Sequence, residues 1–133
     1  MFVDAAAITA VLSTEPEADR CAAALENAAQ PFTSPIAVWE AVRALSRPDK
    51  FADATKAEMA VRRLLEYRNI ELRQLPPPQE ASELSLEAFA RYGAGHHRLN
   101  LADCFHYACA RHYGAAMLST ADEFRFTDLE TVP

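Results

Sequence analysis

Five acidic residues sit where a carboxylate has chemical consequences. Asp4 follows the apolar run MFV, Glu40 lies inside SPIAVWEAVRAL, Asp103 inside LNLADCFHYACA, and Asp122 and Glu123 follow MLSTA. An ionised carboxylate beside a forming core costs several kcal/mol unless it is paired, hydrogen-bonded or bound to a metal. Taken singly, each has an ordinary explanation as a helix cap, a solvated helix residue or a turn residue. Taken together they are embedded in apolar sequence, and two of them held ~4 Å apart repel by about 4 kcal/mol at an effective dielectric near 20. Protons or divalent cations relieve that repulsion. Oxygen donors with room for water suit Mg²⁺ or Mn²⁺ better than zinc, and one or two such ions can activate water, hold a phosphodiester and stabilise the leaving oxygen of an in-line displacement.

The elements that must position these acids follow from punctuation and periodicity. MFV reads as a strand, Ala5 to Ser13 as a helix, and Glu15-Pro16 opens a second helix running through Cys21 and Leu25. QPFTS is the second strand, and Ser34-Pro35 supplies a cap and a first-turn proline for a helix from Ile36 to about Ser46. Asp49 to Arg68 reads as one or two surface helices. Ile70, Leu72 and Leu75 mark a third strand that Pro76, Pro77 and Pro78 end. Glu80 to Tyr92 is helical up to Gly93, GAGHHR is a loop, and Asn100 caps a helix over Leu101 to His112 that Gly114 ends. AAMLS is a fourth strand, ADEFRFTD a loop and LETV a short edge strand. Strands joined by helical crossovers lie parallel, so the expected fold is α/β, a small doubly wound sheet of four or five strands flanked by helices. Ligands of such sheets bind outside the carboxyl ends of the strands, the edge on which all five acids fall.

With 133 residues, half of them apolar, the chain fits a single domain over 1–133 with one core. No run approaches the ~20 apolar residues of a membrane span, and the N-terminus lacks a secretory pattern, so a cytoplasmic protein without membrane association is expected. The three cysteines, Cys21, Cys104 and Cys109, form no CxxC pair and read as reduced core residues. The net charge of −6 repels nucleic acid, unless cations bound among the acids reverse the local field.

The opening MFVDAAAITAVLSTEPEA, the SPIAVWEAVRAL helix, the YGAGHHRLNLADCFHYACA block and the closing MLSTADEFRFTDL occur in an order and spacing that resembles the PIN-domain ribonuclease toxins of the VapC type. The likeness spans nearly the whole chain. It implies a PIN-like three-layer sandwich, Mg²⁺- or Mn²⁺-dependent cleavage of RNA, a cognate VapB-type antitoxin that blocks the site, and a homodimer. Carried over by position, the family's first catalytic acid falls on Asp4, its helix glutamate on Glu40 and its third acid on Asp103; the fourth falls on Asp122 or Glu123, because the usual Asp before Phe is here Glu123. These are the expected metal-holding and catalytic residues. Departures are Ala6, where a hydroxyl residue is common, Ala102, where Gly is common, and a slightly short loop between Arg98 and Leu99. They sustain the alternative of an impaired PIN-like module that binds antitoxin or RNA without cleaving.

Secondary signals carry less. His96, His97 and Arg98 form a basic loop that either touches RNA phosphate or is simply solvated. Arg43 lies one turn beyond Glu40, where an ion pair holding Glu40 is the plainer reading and a phosphate contact the sharper one. A zinc site from His96, His97, His106 and Cys104 lacks ligand spacing. A phosphoacceptor domain needs adjacent acids after the first strand and a lysine after the last, but three alanines follow Asp4 and no lysine follows Lys56; Ala6 likewise excludes a DxD phosphatase. Met59, Leu64, Leu65 and Tyr67, with Val11 and Leu12, fill the core or form an apolar groove for a partner.

Overall fold

The computed structural model describes residues 1–133. Its elements are β1 (Phe2–Val3), α1 (Ala5–Ser13), α2 (Ala18–Glu26), β2 (Phe32–Thr33), α3 (Pro35–Leu45), α4 (Ala54–Tyr67), β3 (Glu71–Leu72), α5 (Pro78–Tyr92), α6 (Leu101–His112), β4 (Met117–Leu118), a 3₁₀ helix (Asp122–Phe126) and β5 (Thr131–Val132). The strands form one sheet in the order β3-β2-β1-β4-β5, and every pairing is parallel, with Phe2 opposite both Phe32 and Met117. Strand order reverses at β1, so β1 and β4 flank the crevice where such sheets bind ligands.

The short strands are held by burial. Phe2, Val3, Phe32, Met117 and Leu118 are closed to solvent, and the rings of Phe2 and Phe32 meet edge to face at 5.6 Å. Thr33 ties the central pair together from within, its hydroxyl donating to the Val3 carbonyl at 2.7 Å. α3 packs on α1, α4 and α6, and α5 on α6, so the helices carrying Glu40 and Asp103 share a contact.

Caps fix where these helices start. Asp4 and Ser34 accept from the amides of Ala6 and Ala37. Asn100 and Asp103 form a reciprocal capping box that satisfies orphan amides at both positions. Gly114 ends α6 at φ +59°, a left-handed conformation glycine adopts without steric cost.

Several boundaries differ from the sequence expectation. α2 starts at Ala18 rather than at Pro16, because Glu15 to Glu17 form a turn. Asp49–Arg68 holds one helix, α4, started by the Asp53 side chain accepting from Lys56. Pro78 opens α5 instead of closing β3, since a first-turn proline loses no helical hydrogen bond. ADEFRFTD is largely a 3₁₀ helix rather than a loop. Among the apolar residues between core and groove, Leu64 is buried whereas Met59 and Tyr67 are exposed. All three cysteines are free and buried, as expected.

Candidate active site

β1 ends at Val3, so the next side chain, Asp4, projects from the carboxyl edge of the central strand. It is buried and its partners come from two directions. Ser119, directly after β4, donates its hydroxyl to Asp4 Oδ2 at 2.7 Å, and the Ala6 amide adds a longer bond to the same oxygen at 3.3 Å. Asp4 Oδ1 lies 2.7 Å from Nδ1 of His106. Burial opposes ionisation of Asp4, but the contacts with His106, Ser119 and Ala6 outweigh it and hold the carboxyl below its ordinary value.

His106 is closed to solvent. Its Nε2 points the other way and stands 3.7 Å from Glu40 Oε2, so one imidazole spans the acid of β1 and the acid of α3. The short Asp4 contact misses the in-line direction of a ring N–H, and both ring nitrogens are therefore buried without an aligned hydrogen bond. Burial disfavours the imidazolium, yet the facing charges of Asp4, Glu40 and Asp103 raise its pKa on balance.

Asp103 occupies the third helical position of α6, where its Oδ2 accepts from the Asn100 amide at 2.7 Å. Burial raises its pKa most; the Asn100 hydrogen bond pulls it down, and the charges of Asp4 and Glu40 push it up again, to about 6 in sum. Two further acids thus press on a carboxyl that burial already makes reluctant to ionise. One donor atom each from Glu40, Asp103 and His106 lies within 4.8 Å of the others. The donor set fits a divalent cation: carboxylate oxygens converge, and a buried imidazole nitrogen faces them without a hydrogen-bond partner.

Asp4, Glu40 and Asp103 line a cleft of about 310 Å³ together with Glu123, Thr9, Thr120 and Arg43, with His106 buried behind the three acids. Of the two candidates for the fourth acid, Glu123 faces this cleft, whereas Asp122 does not line it; its side chain is 75 % exposed and lies 3.5 Å from Arg125. The 3₁₀ turn aims adjacent residues apart. Arg43 forms no ion pair with Glu40, which corrects the plainer sequence reading; its guanidinium lies over the Trp39 ring, 5.7 Å from the centroid. The basic loop stays outside the cleft. His96, His97 and Arg98 are exposed, with His97 stacked on Phe126 at 3.8 Å. Arg98 lines a separate hollow with Leu86, Phe89 and Leu101.

Sequence reasoning missed the place of His106 between Asp4 and Glu40, having considered it only in a zinc set with His96, His97 and Cys104. The available signal was its spacing: three residues after Asp103, it shares that acid's helix face. Ser119 was missed as well, since nothing in MLST distinguishes a serine that meets a residue 115 positions away.

A parallel sheet in this order, with acids gathered in a cleft at its carboxyl edge, defines a class of small α/β proteins whose site suits a divalent cation. The PIN domain model matches residues 1–130. The VapC ribonuclease R02377 of Rhizobium meliloti is 33% identical, with 96% of this chain and 98% of that protein covered. Ribonuclease VapC30 of Mycobacterium tuberculosis is 31% identical over 99% of this chain and 98% of its own length. The chain belongs to the PIN-domain family, among its VapC-type ribonuclease toxins. In fold it matches the crystal structure of Mycobacterium tuberculosis VapC20, a toxin that cleaves the sarcin-ricin loop, with a TM-score of 0.72 at 14% identity and 99% and 98% of the two chains covered.

Proposed function

We propose that the chain, as a single domain over residues 1–133, is a metal-dependent endoribonuclease toxin that uses Mg²⁺ or Mn²⁺ and is silenced by a cognate VapB-type antitoxin. The observation that carries this reading is the convergence of Asp4, Glu40, Asp103 and Glu123 on one cleft, with Asp103 raised to about 6. Glu40, Asp103 and Glu123 are the residues that would hold the cation. Asp4, fixed by Ser119 and His106, supplies a rigid negative wall behind them. When bound, a hard divalent cation offsets charge growing on the phosphate and activates water. The capping box keeps Asp103 Oδ2 on the Asn100 amide, so that this carboxylate would be held in place when a cation binds. Arg43, on the cleft wall and without an acidic partner, is suited to a phosphate of the RNA. The Ala6 departure is offset in part: Ser119 gives Asp4 a hydroxyl, and Thr9 and Thr120 bring hydroxyls to the cleft.

The antitoxin is expected to insert a cationic side chain among the same acids, so a partner with that charge reversed should bind far more weakly. No helix of the protein is long and apolar enough to cross a membrane; action on cytoplasmic RNA, as a homodimer, completes the proposal, and light scattering tests the dimer. The activity itself is tested by incubating several structured RNAs with native protein, Asp4→Asn and Asp103→Asn in Mg²⁺ or Mn²⁺. Cleavage by the native protein alone is expected. Equal cleavage by all three would assign it to another site.

A further inference from the structure

The carboxylates account for an oxygen-lined cation site, but not for the buried imidazole behind it, whose second nitrogen stands beside Glu40. His106 is closed to solvent, and neither ring nitrogen has an aligned hydrogen-bond partner. Nδ1 at least has a carboxylate beside it; Nε2 is a buried polar atom with no hydrogen bond, an arrangement a purely structural histidine would avoid by bonding to a backbone carbonyl. Here the ring is instead set between two acids, Nδ1 at 2.7 Å from Asp4 and Nε2 at 3.7 Å from Glu40. One ring nitrogen of His106, a Glu40 oxygen and an Asp103 oxygen lie mutually within 4.8 Å; one ion about 2.1 Å from each donor needs them no more than about 4.2 Å apart, a closure of a few tenths of an ångström.

The other end of the ring fits the same arrangement. Histidines that bind metals typically give their second ring N–H to a carboxylate, which fixes the tautomer and orients the ring. Asp4 Oδ1 lies 2.7 Å from Nδ1, off the in-line direction, so that a small turn of the ring would align it as the acceptor of the Nδ1 proton, and Asp4 is itself held by the Ser119 hydroxyl and the Ala6 amide. A chain of contacts therefore runs from β4 through Ser119, Asp4 and His106 to the gap between α3 and α6.

We propose that His106 Nε2 is a direct ligand of the cation held by Glu40 and Asp103, with Asp4 orienting the imidazole through Nδ1, so that the site takes Mn²⁺ in preference to Mg²⁺. The inference rests on the metal-site reading above and adds a nitrogen donor to it. Mg²⁺ favours all-oxygen octahedra and sheds water reluctantly, whereas imidazole nitrogen is a better donor to later first-row ions.

The test uses full-length protein and metal alone. Mn²⁺ is bound to native protein prepared with ordinary histidine and with ¹⁵N-histidine, and electron spin echo envelope modulation is recorded, while calorimetry gives Mn²⁺ and Mg²⁺ affinities for native protein, His106→Asn and Asp103→Asn. Expected are nitrogen modulation from a coordinated imidazole that changes on ¹⁵N labelling, and a preference for Mn²⁺ over Mg²⁺ that falls about tenfold in His106→Asn. Mn²⁺ bound in an Asp103-dependent manner without histidine modulation would overturn the His106 assignment and leave the acid site standing. Mn²⁺ binding that is absent, or indifferent to Asp103→Asn, would overturn both. The labelled native spectrum decides the question even if His106→Asn does not fold.

Discussion

Asp103 carries its charge at the expense of stability. Its carboxyl is raised from the ordinary 3.8 to about 6, so the folded protein holds that proton more tightly than the unfolded chain. The stability contributed is full below about pH 4 and is lost as pH rises through about 6, leaving an uncompensated charge at neutral pH. Asp103→Asn keeps an oxygen for the Asn100 amide while removing the charge. With chelator at pH 7.5, the variant is expected to melt about 3 °C above native protein, corresponding to about 1 kcal/mol after allowance for solvent screening, with the difference vanishing near pH 4. Thermal melts at the two pH values check this; a lower melting temperature at pH 7.5 would mean that the charge is not under strain. In subsaturating Mn²⁺, activity should fall as pH drops through about 6, because a proton competes with the cation, and a flat profile from pH 8 to 5 would count against it. Asp4, Glu40 and Asp103 could be found in the sequence because an acid inside an apolar run needs compensation. His106 could not be assigned from the same reasoning: an apolar helix face with one histidine looks like ordinary core, and its contact with Asp4 depends on how the chain closes.

At the scale of elements, turns and caps decide where the acids point. Ser119 is buried after β4, donates to Asp4 and accepts from the Ala121 amide at 3.0 Å. It thus links the acid of β1 to the turn carrying Glu123. Ser119→Ala leaves a buried carboxylate oxygen and an amide short of partners, and should destabilise by about 2 kcal/mol, while Ser119→Thr, which keeps the hydroxyl, should retain more activity. Denaturant melts and initial rates on RNA compare them; equal behaviour of the two variants would remove Ser119 from any positioning role. Asn100→Ala breaks the capping box, with an expected cost of about 1 kcal/mol and weaker Mn²⁺ binding as Asp103 loses its anchor. Helices α1, α3 and α6 were legible because Asp4, Ser34-Pro35 and Asn100 are strong start signals. Strand extents were not: each is only two residues long, and parallel pairing, unlike periodicity, is not written into a short apolar run. The choice between Asp122 and Glu123 was equally closed to sequence, because a loop reading gives no direction to adjacent side chains while the 3₁₀ turn does.

Across the whole molecule, the net charge of −6 opposes an RNA partner until cations bind. A cation bound in the proposed site would act on stability as well as catalysis. A ligand bound only by the folded state stabilises by RT ln(1 + [L]/Kd), about 2.7 kcal/mol at a hundredfold excess over Kd, so saturating Mn²⁺ should raise the melting temperature by several degrees and chelator should reverse the rise. The alternating rhythm of strands and helices was sufficient to anticipate a parallel sheet, and the sheet order places the crevice beside β1. Arg43 shows where that inference stopped: spacing on α3 suggested an ion pair with Glu40, whereas the guanidinium rests over Trp39. Arg43→Ala should accordingly raise KM for RNA several-fold and leave Mn²⁺ affinity unchanged.

The shared-site claim is tested most directly by single-turnover RNA cleavage in saturating Mn²⁺ with native protein, Glu40→Gln, Asp103→Asn and the double variant. Residues that act as one unit are non-additive: each single change should slow cleavage by about 100-fold or more, and the double should be little slower than the worse single. Single variants that keep the native rate, or a double whose loss is the product of two independent losses, would contradict a common cation site.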